Sequence, residues 1–203
     1  MRVIFIQLLV LSFVLLSHEI SSQEKELFDL IITDENATPD LLPERMIITQ
    51  RLFWGEKGLL RKTGIAPLNL ENREKELKIR RKMLKAHQII GYTTLAAMVA
   101  QGFIGGKLYN GDYSLYKTHK NMAKVVNATY FTGAALSLFS PPSLTNKKTK
   151  GFSSIKAHRF LSNIHFSAMI ITNMVSDSNK KAHKAAAYTA FASYATAVIV
   201  FKF

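Results

Sequence analysis

Four short stretches of the chain are near-copies of one another: KAHQIIGY (85–92), KTHKNMAK (117–124), KAHRFLSN (156–163) and KAHKAAAY (181–188). Each contains a lysine, a small or hydroxyl residue, a histidine and, four positions after the histidine, a second small residue. Each also opens an apolar segment close to the roughly 20 residues that cross the hydrocarbon of a bilayer. The pattern therefore predicts four spanning helices, at about 86–106, 119–140, 158–175 and 183–201.

The connections between these segments are polar and rich in Gly, Pro, Asn or Ser. Short connections make consecutive helices antiparallel. The segments hold many Ala, Gly, Ser and Thr residues, which let helices approach closely, and Gly102 and Gly106 form a GxxxG pair. We therefore predict an all-α fold, with an antiparallel four-helix transmembrane bundle at 83–203.

The residues before the bundle divide into two parts. Residues 1–23 have a basic start, an apolar run of about 15 residues and small residues near Gln23, which indicates a secretory signal peptide. The alternative is an uncleaved membrane anchor. Residues 24–82 predict a short helical extramembrane segment, whose charged stretch LENREKELKIRRKMLK (70–85) continues into the first span. Its apolar stretch at 44–60 either lies flat on the bilayer or packs on the protein itself.

Composition excludes several kinds of site. The chain has no cysteine, which removes disulfides, thiolate zinc sites, iron–sulfur clusters and covalently attached haem. Its net charge is +13, yet from Leu77 to the C-terminus the only carboxylates are Asp112 and Asp177, and the basic residues cluster at the ends of apolar segments. That placement is typical of membrane-interface anchors rather than of nucleic-acid binding. Acid–base catalysis by carboxylate pairs finds no support in the bundle.

The four repeated histidines fall into two pairs. In an antiparallel bundle the first and third helices begin at one membrane face, and the second and fourth begin at the other. His87 and His158 therefore share one face, and His119 and His183 share the other. Two imidazoles on facing helices are the ligand set that a haem iron takes above and below its ring, whereas two histidines alone make an incomplete zinc site. We expect each pair to bind the iron of one b-type haem.

The residues around each histidine fit the same cofactor. A small residue one helical turn later lies on the same face and leaves room for a porphyrin edge. These residues are Gly91, Ala123, Ser162 and Ala187. A lysine two residues before each histidine lies near the interface and can pair with a haem propionate. These residues are Lys85, Lys117, Lys156 and Lys181.

A fifth histidine, His165, leaves the ligand assignment open on one face. It follows His158 by seven residues, about 10 Å along a helix and on nearly the same face. It is an alternative ligand, with His158 then serving the propionates, or a hydrogen-bonding partner of a haem edge or of another helix. We favour His158, because it matches the other three repeats.

The histidine pattern at 85–201 resembles the cytochrome b561 family, whose four-helix core binds two b-type haems through histidines at helix starts. The resemblance implies a membrane cytochrome b that carries electrons across the bilayer, with a quinol or a redox protein as donor or acceptor. No stretch of this chain matches the substrate site of that family. The chain differs from the family in having four spans rather than six and an N-terminal segment of its own.

Two alternatives and the orientation stay open from the sequence. The chain could instead be a non-redox scaffold or accessory subunit of a larger membrane complex; a transporter is disfavoured, because only His165 approaches mid-membrane depth. A signal peptide would place the N-terminal segment on the exported side of the inner (plasma) membrane. The excess of Lys and Arg on that same side favours the opposite orientation.

Overall fold

The computed structural model describes residues 41–144 and 153–200. These residues form helices, with no β-strand among them, so the all-α prediction is confirmed for this part of the chain. The predicted signal peptide, residues 24–40, the connection at 145–152 and residues 201–203 lie outside the described residues. The helices are α1 (Ile48–Trp54), α2 (Leu59–Lys62), α3 (Leu70–Tyr109), a 3-10 helix (Tyr113–Leu115), α4 (Tyr116–Leu138), α5 (Ser154–Met174) and α6 (Lys180–Ile199).

Local sequence accounts for where the long helices begin and end. The charged stretch and the first apolar segment form one continuous helix, α3, of 40 residues, as predicted. Gly111 has a φ of 107°, a left-handed conformation that glycine adopts without strain, and it lies in the turn between α3 and α4. Ser153 and Asn179 cap α5 and α6, because each side chain accepts a bond from a backbone N–H of the first turn.

The chain divides into two compact units. Among the described residues, the first unit comprises 41–81 and 141–144, and the second comprises 82–140 and 153–200. On α3 the two units meet between Arg81 and Lys82. The assignment of 141–144 to the first unit was not expected, and it follows from the hydrogen bonds described next.

The first unit is held together by a buried charge cluster. The Glu76 carboxylate is nearly fully buried and forms ion pairs with both Arg61 and Arg73. Arg73, which has no exposed surface, also donates to the carbonyls of Leu41 (2.7 Å) and Pro142 (3.2 Å). One guanidinium therefore joins two chain segments that are distant in sequence.

The second unit, which we call the bundle unit, is built from four helices. Hydrogen bonds join α3 to α4, α4 to α5, α5 to α6 and α6 back to α3. The last of these runs from the Tyr194 hydroxyl to the Gly91 carbonyl over 3.2 Å. The four helices thus surround a common core, and α3 and α5 lie opposite each other, as do α4 and α6.

The middle of this core is apolar. Met98, Val126, Tyr130 and Met169 form the buried cluster. Helices α5 and α6 are in extensive contact with each other. Both bury small side chains, which let two backbones approach closely. They are Ala157, Ala168, Ala190, Ser193 and Ala197.

One described helix, α3, is long and apolar enough to cross a membrane on length and composition alone. The other helices within 41–144 and 153–200 do not meet the same combined criteria of length, mean hydropathy and few charged residues. The predicted GxxxG pair makes no close helix contact in the described part of the chain, because a Cβ on Gly102 or Gly106 would have nothing within 4 Å.

Replacing Glu76 by Gln should strongly destabilise the first unit. The change leaves two buried guanidinium groups without their carboxylate, a loss that typically costs about 3–5 kcal/mol. We expect faster amide hydrogen exchange across 59–81. The control is Glu71→Gln on the same helix, whose ion pair with Lys75 is exposed and should matter little. Equal exchange rates in the two variants would contradict a structural role for the buried cluster.

Candidate functional site

The structure brings the four repeated histidines together as the two expected pairs. The ring centroids of His87 and His158 are 6.4 Å apart, with an interplanar angle of 89°. Those of His119 and His183 are 6.2 Å apart, with an angle of 78°. Each pair joins two helices that lie opposite each other in the bundle unit, so both pairs occupy the bundle interior.

Three of the four imidazoles are held by a backbone carbonyl of a neighbouring helix. Nδ1 of His87 bonds Gly133 O on α4 over 2.8 Å. Nδ1 of His158 bonds Ala197 O over 3.1 Å, and Nδ1 of His183 bonds Thr172 O over 2.9 Å. A carbonyl only accepts, so Nδ1 carries the proton in each ring, and Nε2 keeps a lone pair for another partner.

The same bonds show that the pairs lie at opposite ends of the unit. His158 is near the start of α5, and its acceptor, Ala197, is near the end of α6. His183 is near the start of α6, and its acceptor, Thr172, is near the end of α5. The helices are therefore antiparallel, and one imidazole pair lies at each end.

Small residues allow these close approaches between a ring and a backbone. A Cβ on Gly133 would come within 3.4 Å of Ile90 and 3.9 Å of the His87 Nδ1. These are ordinary van der Waals distances, so a methyl group would fit at position 133, whereas a larger side chain would meet Ile90 and the His87 ring. Ala197 is almost completely buried, and its carbonyl bonds His158 on α5.

His119 is held differently from the other three. Its Nδ1 is buried without a hydrogen-bond partner among the described residues, and no backbone carbonyl takes that role. The Gln101 side-chain amide instead donates to the His119 carbonyl (3.2 Å) and lies 3.4 Å from the ring Nε2. The ring packs on Gly105, where an added Cβ would come 3.0 Å from its Cε1.

Each pair brings two imidazole rings to a centroid separation of 6.4 or 6.2 Å, so both rings lie close enough to contact one bound group. A ligating histidine also commonly donates its other N–H to a backbone carbonyl, as three of these do. The described residues hold no group of three or more metal-ligating side chains. Each pair therefore offers two imidazole side chains to a bound group.

The small residues predicted to flank a haem each lie one helical turn after a histidine. Gly91 is buried, whereas Ala123, Ser162 and Ala187 are half-buried, and the Ser162 hydroxyl donates back to the His158 carbonyl over 2.5 Å. The side chains of the four lysines two residues before the histidines are exposed to the surroundings, as a partner for an ionic group requires. They are Lys85, Lys117, Lys156 and Lys181.

His165 belongs to a separate cluster in the middle of the bundle unit. Its Nδ1 lies 2.6 Å from the Tyr130 hydroxyl, and its ring centroid is 5.0 Å from that of Tyr194. It lies one heptad further along α5 than His158, which is the residue that faces His87. The structure thus pairs His158 rather than His165 with His87.

Sequence reasoning missed the residues that hold the histidines. Gly133, Thr172 and Ala197 act through their carbonyls, which every residue possesses, so residue type gave no signal. Gln101 did carry a signal, because His87, Thr94 and Gln101 recur every seven residues and share one face of α3. A polar side chain in that register indicates a core-facing contact.

We found no match to the chain among protein-family models, curated proteins or solved structures.

Replacing Gly105 by Ala should displace the His119 ring. The added methyl overpacks a site with only 3.0 Å of room, and overpacking typically costs about 1–3 kcal/mol. Thermal unfolding of the purified protein measures the loss. Gly106→Ala is the matched control, because it meets nothing within 4 Å and gains up to about 1 kcal/mol of helix propensity. If both variants were stabilised alike, the contact between Gly105 and His119 would be excluded.

Proposed function

We propose that this protein is a membrane cytochrome b that carries electrons across the bilayer through two b-type haems, each bound by one histidine pair. The observation that carries the proposal is the spacing of the two imidazole pairs, 6.4 and 6.2 Å between centroids at opposite ends of one bundle. The resemblance to the cytochrome b561 family agrees with it. We assign no chemical transformation beyond electron transfer.

A bilayer around the bundle is supported by the distribution of polarity. Its interior holds imidazole, amide and hydroxyl groups beside the apolar cluster of Met98, Val126 and Met169, and many large apolar side chains are exposed. Phe103 is 73% exposed and Met174 is 75% exposed, and Phe160 is also largely exposed. In water such surface is costly, at roughly 25 cal/mol per Å² of apolar area. In lipid the same arrangement is favourable, and we propose that α3, α4, α5 and α6 all span the membrane.

The separation of the pairs suits this role. His87 and Gln101, which contacts His119, are 14 residues apart on α3, and this corresponds to about 21 Å along the axis. The hydrocarbon core of a bilayer is about 30 Å thick. Two carriers at these depths would leave only short distances from each carrier to the nearest membrane surface.

The residues of the chain would bind and orient the cofactor. The histidine Nε2 atoms would ligate iron, the carbonyls would hold the rings by their Nδ1 protons, and the exposed lysines would pair with propionates. When bound, a haem would supply reversible one-electron transfer. The small side chains beside the rings would leave space for its edges.

The partners follow from this proposal. An electron relay through a bilayer needs a donor at one surface and an acceptor at the other, and a quinol or a redox protein would meet either need. From the predicted signal peptide we also propose that the protein lies in the inner (plasma) membrane, with the N-terminal segment on the exported side.

A second candidate function is a non-redox scaffold or accessory subunit of a larger membrane complex. The observation that favours it is the apolar surface of the first unit, where Ile48 is 84% exposed and Leu52 is 61% exposed on one face of α1. A partner protein could cover that face. This alternative needs no cofactor, so haem content separates the two functions.

Pairwise histidine replacement tests the haem assignment. We expect the purified protein to bind two b-type haems per chain in a pyridine haemochrome assay. His87→Ala or His158→Ala should each remove the same haem, and the double variant should still bind one, because either change alone destroys that site. The combination of His87→Ala with His119→Ala should bind none.

The control for this experiment is His165→Phe, which should keep both haems, since His165 bonds Tyr130 instead of facing a histidine. Loss of one haem in the control would assign His165 as a ligand. A wild-type protein without haem, expressed with ample haem supply, would refute the proposed function and favour the scaffold.

Orientation is measurable because the chain has no cysteine of its own. Lys82 and Asn110 lie near the two ends of the apolar part of α3, and both are exposed. We expect a membrane-impermeant maleimide to label Lys82→Cys in intact cells and to label Asn110→Cys only after permeabilisation. The reverse pattern would establish the orientation that the positive-inside rule favours. Labelling of both in intact cells would contradict a spanning α3.

A further inference from the structure

One end of the bundle unit carries a band of exposed tyrosines. We call it the His119 end, and it comprises residues 107–124 and 174–188, where α3 and α5 end and α4 and α6 begin. Four tyrosines lie there, each between 45% and 71% exposed: Tyr109, Tyr113, Tyr116 and Tyr188. Elsewhere in the described chain, no tyrosine has as much exposed surface. A phenol, with an apolar ring and a polar hydroxyl, is typical of the boundary between hydrocarbon and headgroups.

The His119 end is also strongly basic. Its two stretches hold seven lysines but only two carboxylates, those of Asp112 and Asp177. The Asp112 carboxylate already accepts a hydrogen bond from the Ser114 hydroxyl. The lysines outnumber the carboxylates, so this end has a net positive charge that favours an anionic partner.

Two of these lysines are held against tyrosine rings. The Lys184 Nζ lies 3.9 Å from the ring centroid of Tyr109 and 6.0 Å from that of Tyr188. Tyr109 is the last residue of α3 and Lys184 lies near the start of α6, so the contact fixes the ammonium group between two helices. The Lys120 Nζ lies 5.3 Å from the Tyr116 centroid. A contact with a ring face leaves N–H donors of the ammonium for an anion.

The order of side chains along two helices matches the layers of a bilayer. On α3 the apolar Phe103 is 73% exposed, and Tyr109 follows six residues later, which is about 9 Å along the axis. On α4 the order is reversed, since Tyr116 and Lys120 precede the exposed Val125. Each interfacial region of a bilayer is roughly 5–8 Å thick. A membrane surface therefore accounts for the arrangement better than a partner protein does.

From these observations we propose that the His119 end binds the headgroups of anionic phospholipids, with Lys184 as the central cation. The inference rests on the membrane location in the proposed function and does not depend on haem. Phosphate oxygens accept hydrogen bonds from ammonium and phenol groups, and those to a charged donor are the stronger. A lysine at an anionic membrane surface strengthens binding by about fivefold.

The test is a lipid titration of the purified full-length protein in detergent, with bound lipids counted by native mass spectrometry. The probes are phosphatidylglycerol, whose headgroup is anionic, and phosphatidylcholine with the same acyl chains, whose headgroup is zwitterionic. We expect the first phosphatidylglycerol to bind at least about fivefold more tightly than the first phosphatidylcholine. Lys184→Gln should weaken the binding of phosphatidylglycerol by about fivefold and leave that of phosphatidylcholine unchanged.

Tyr109→Leu is the second variant, because it removes the ring beside the Lys184 ammonium and keeps every charge. It should weaken phosphatidylglycerol binding in the same direction and by less. The matched control is Arg159→Gln, which removes an exposed charge near the start of α5, at the opposite end of the bundle unit. It should leave the affinity for the first phosphatidylglycerol unchanged. A thermal unfolding temperature close to that of the wild type shows that each variant folds.

Equal affinity of the wild type for the two lipids would overturn the inference and favour an acidic protein as the partner. Full affinity for phosphatidylglycerol in Lys184→Gln would also overturn it, as would an equal loss in Arg159→Gln, since binding would then follow total charge. Haem content is a separate measurement. Two bound haems without a lipid preference would uphold the proposed function alone, whereas a preference for phosphatidylglycerol without haem would refute electron transfer and uphold this inference.

Discussion

The bundle unit depends on one interaction, the hydrogen bond from an inward-facing imidazole to a carbonyl of the next helix. A neutral imidazole in an apolar interior must satisfy one donor and one acceptor. In His87, His158 and His183 the donor is satisfied by a backbone carbonyl. This hydrogen bond fixes the tautomer, the orientation of the ring and the register of the two helices. It leaves Nε2 as the nitrogen that can bind another group.

The same residues therefore pack the helices together and position the histidine side chains. The small residues that let α5 and α6 approach closely also bring Ala197 within reach of His158. Among the described residues, no backbone carbonyl accepts a bond from the His119 ring. There Gly105 leaves space for the ring, and the Gln101 side chain contacts it. Between the two pairs, Tyr130, His165 and Tyr194 form a layer of rings in mutual contact. The polar groups of the interior are thereby concentrated on the axis between the proposed haem sites.

The first unit is held together by charged rather than neutral groups. Two guanidinium groups surround one buried carboxylate. Such a cluster fixes geometry more than it adds stability, because the desolvation of the charges offsets most of their attraction. Here it joins Leu41 and Pro142 to the start of α3 through Arg73. Nothing in the spacing of Arg61, Arg73 and Glu76 indicated this, since charged residues on a helix are usually solvated.

Sequence alone determined the helical class, the approximate limits of the long helices and the pairing of His87 with His158 and of His119 with His183. It could do so because periodicity, length and antiparallel connections are local properties, and the pairing follows from them by geometry. Tertiary structure decided the rest: which ring nitrogen is engaged, which carbonyl accepts its proton, and that His165 meets Tyr130. Those facts depend on distances between segments far apart in the chain. Backbone carbonyls, the groups that hold three of the rings, are common to every residue and therefore leave no mark in a sequence.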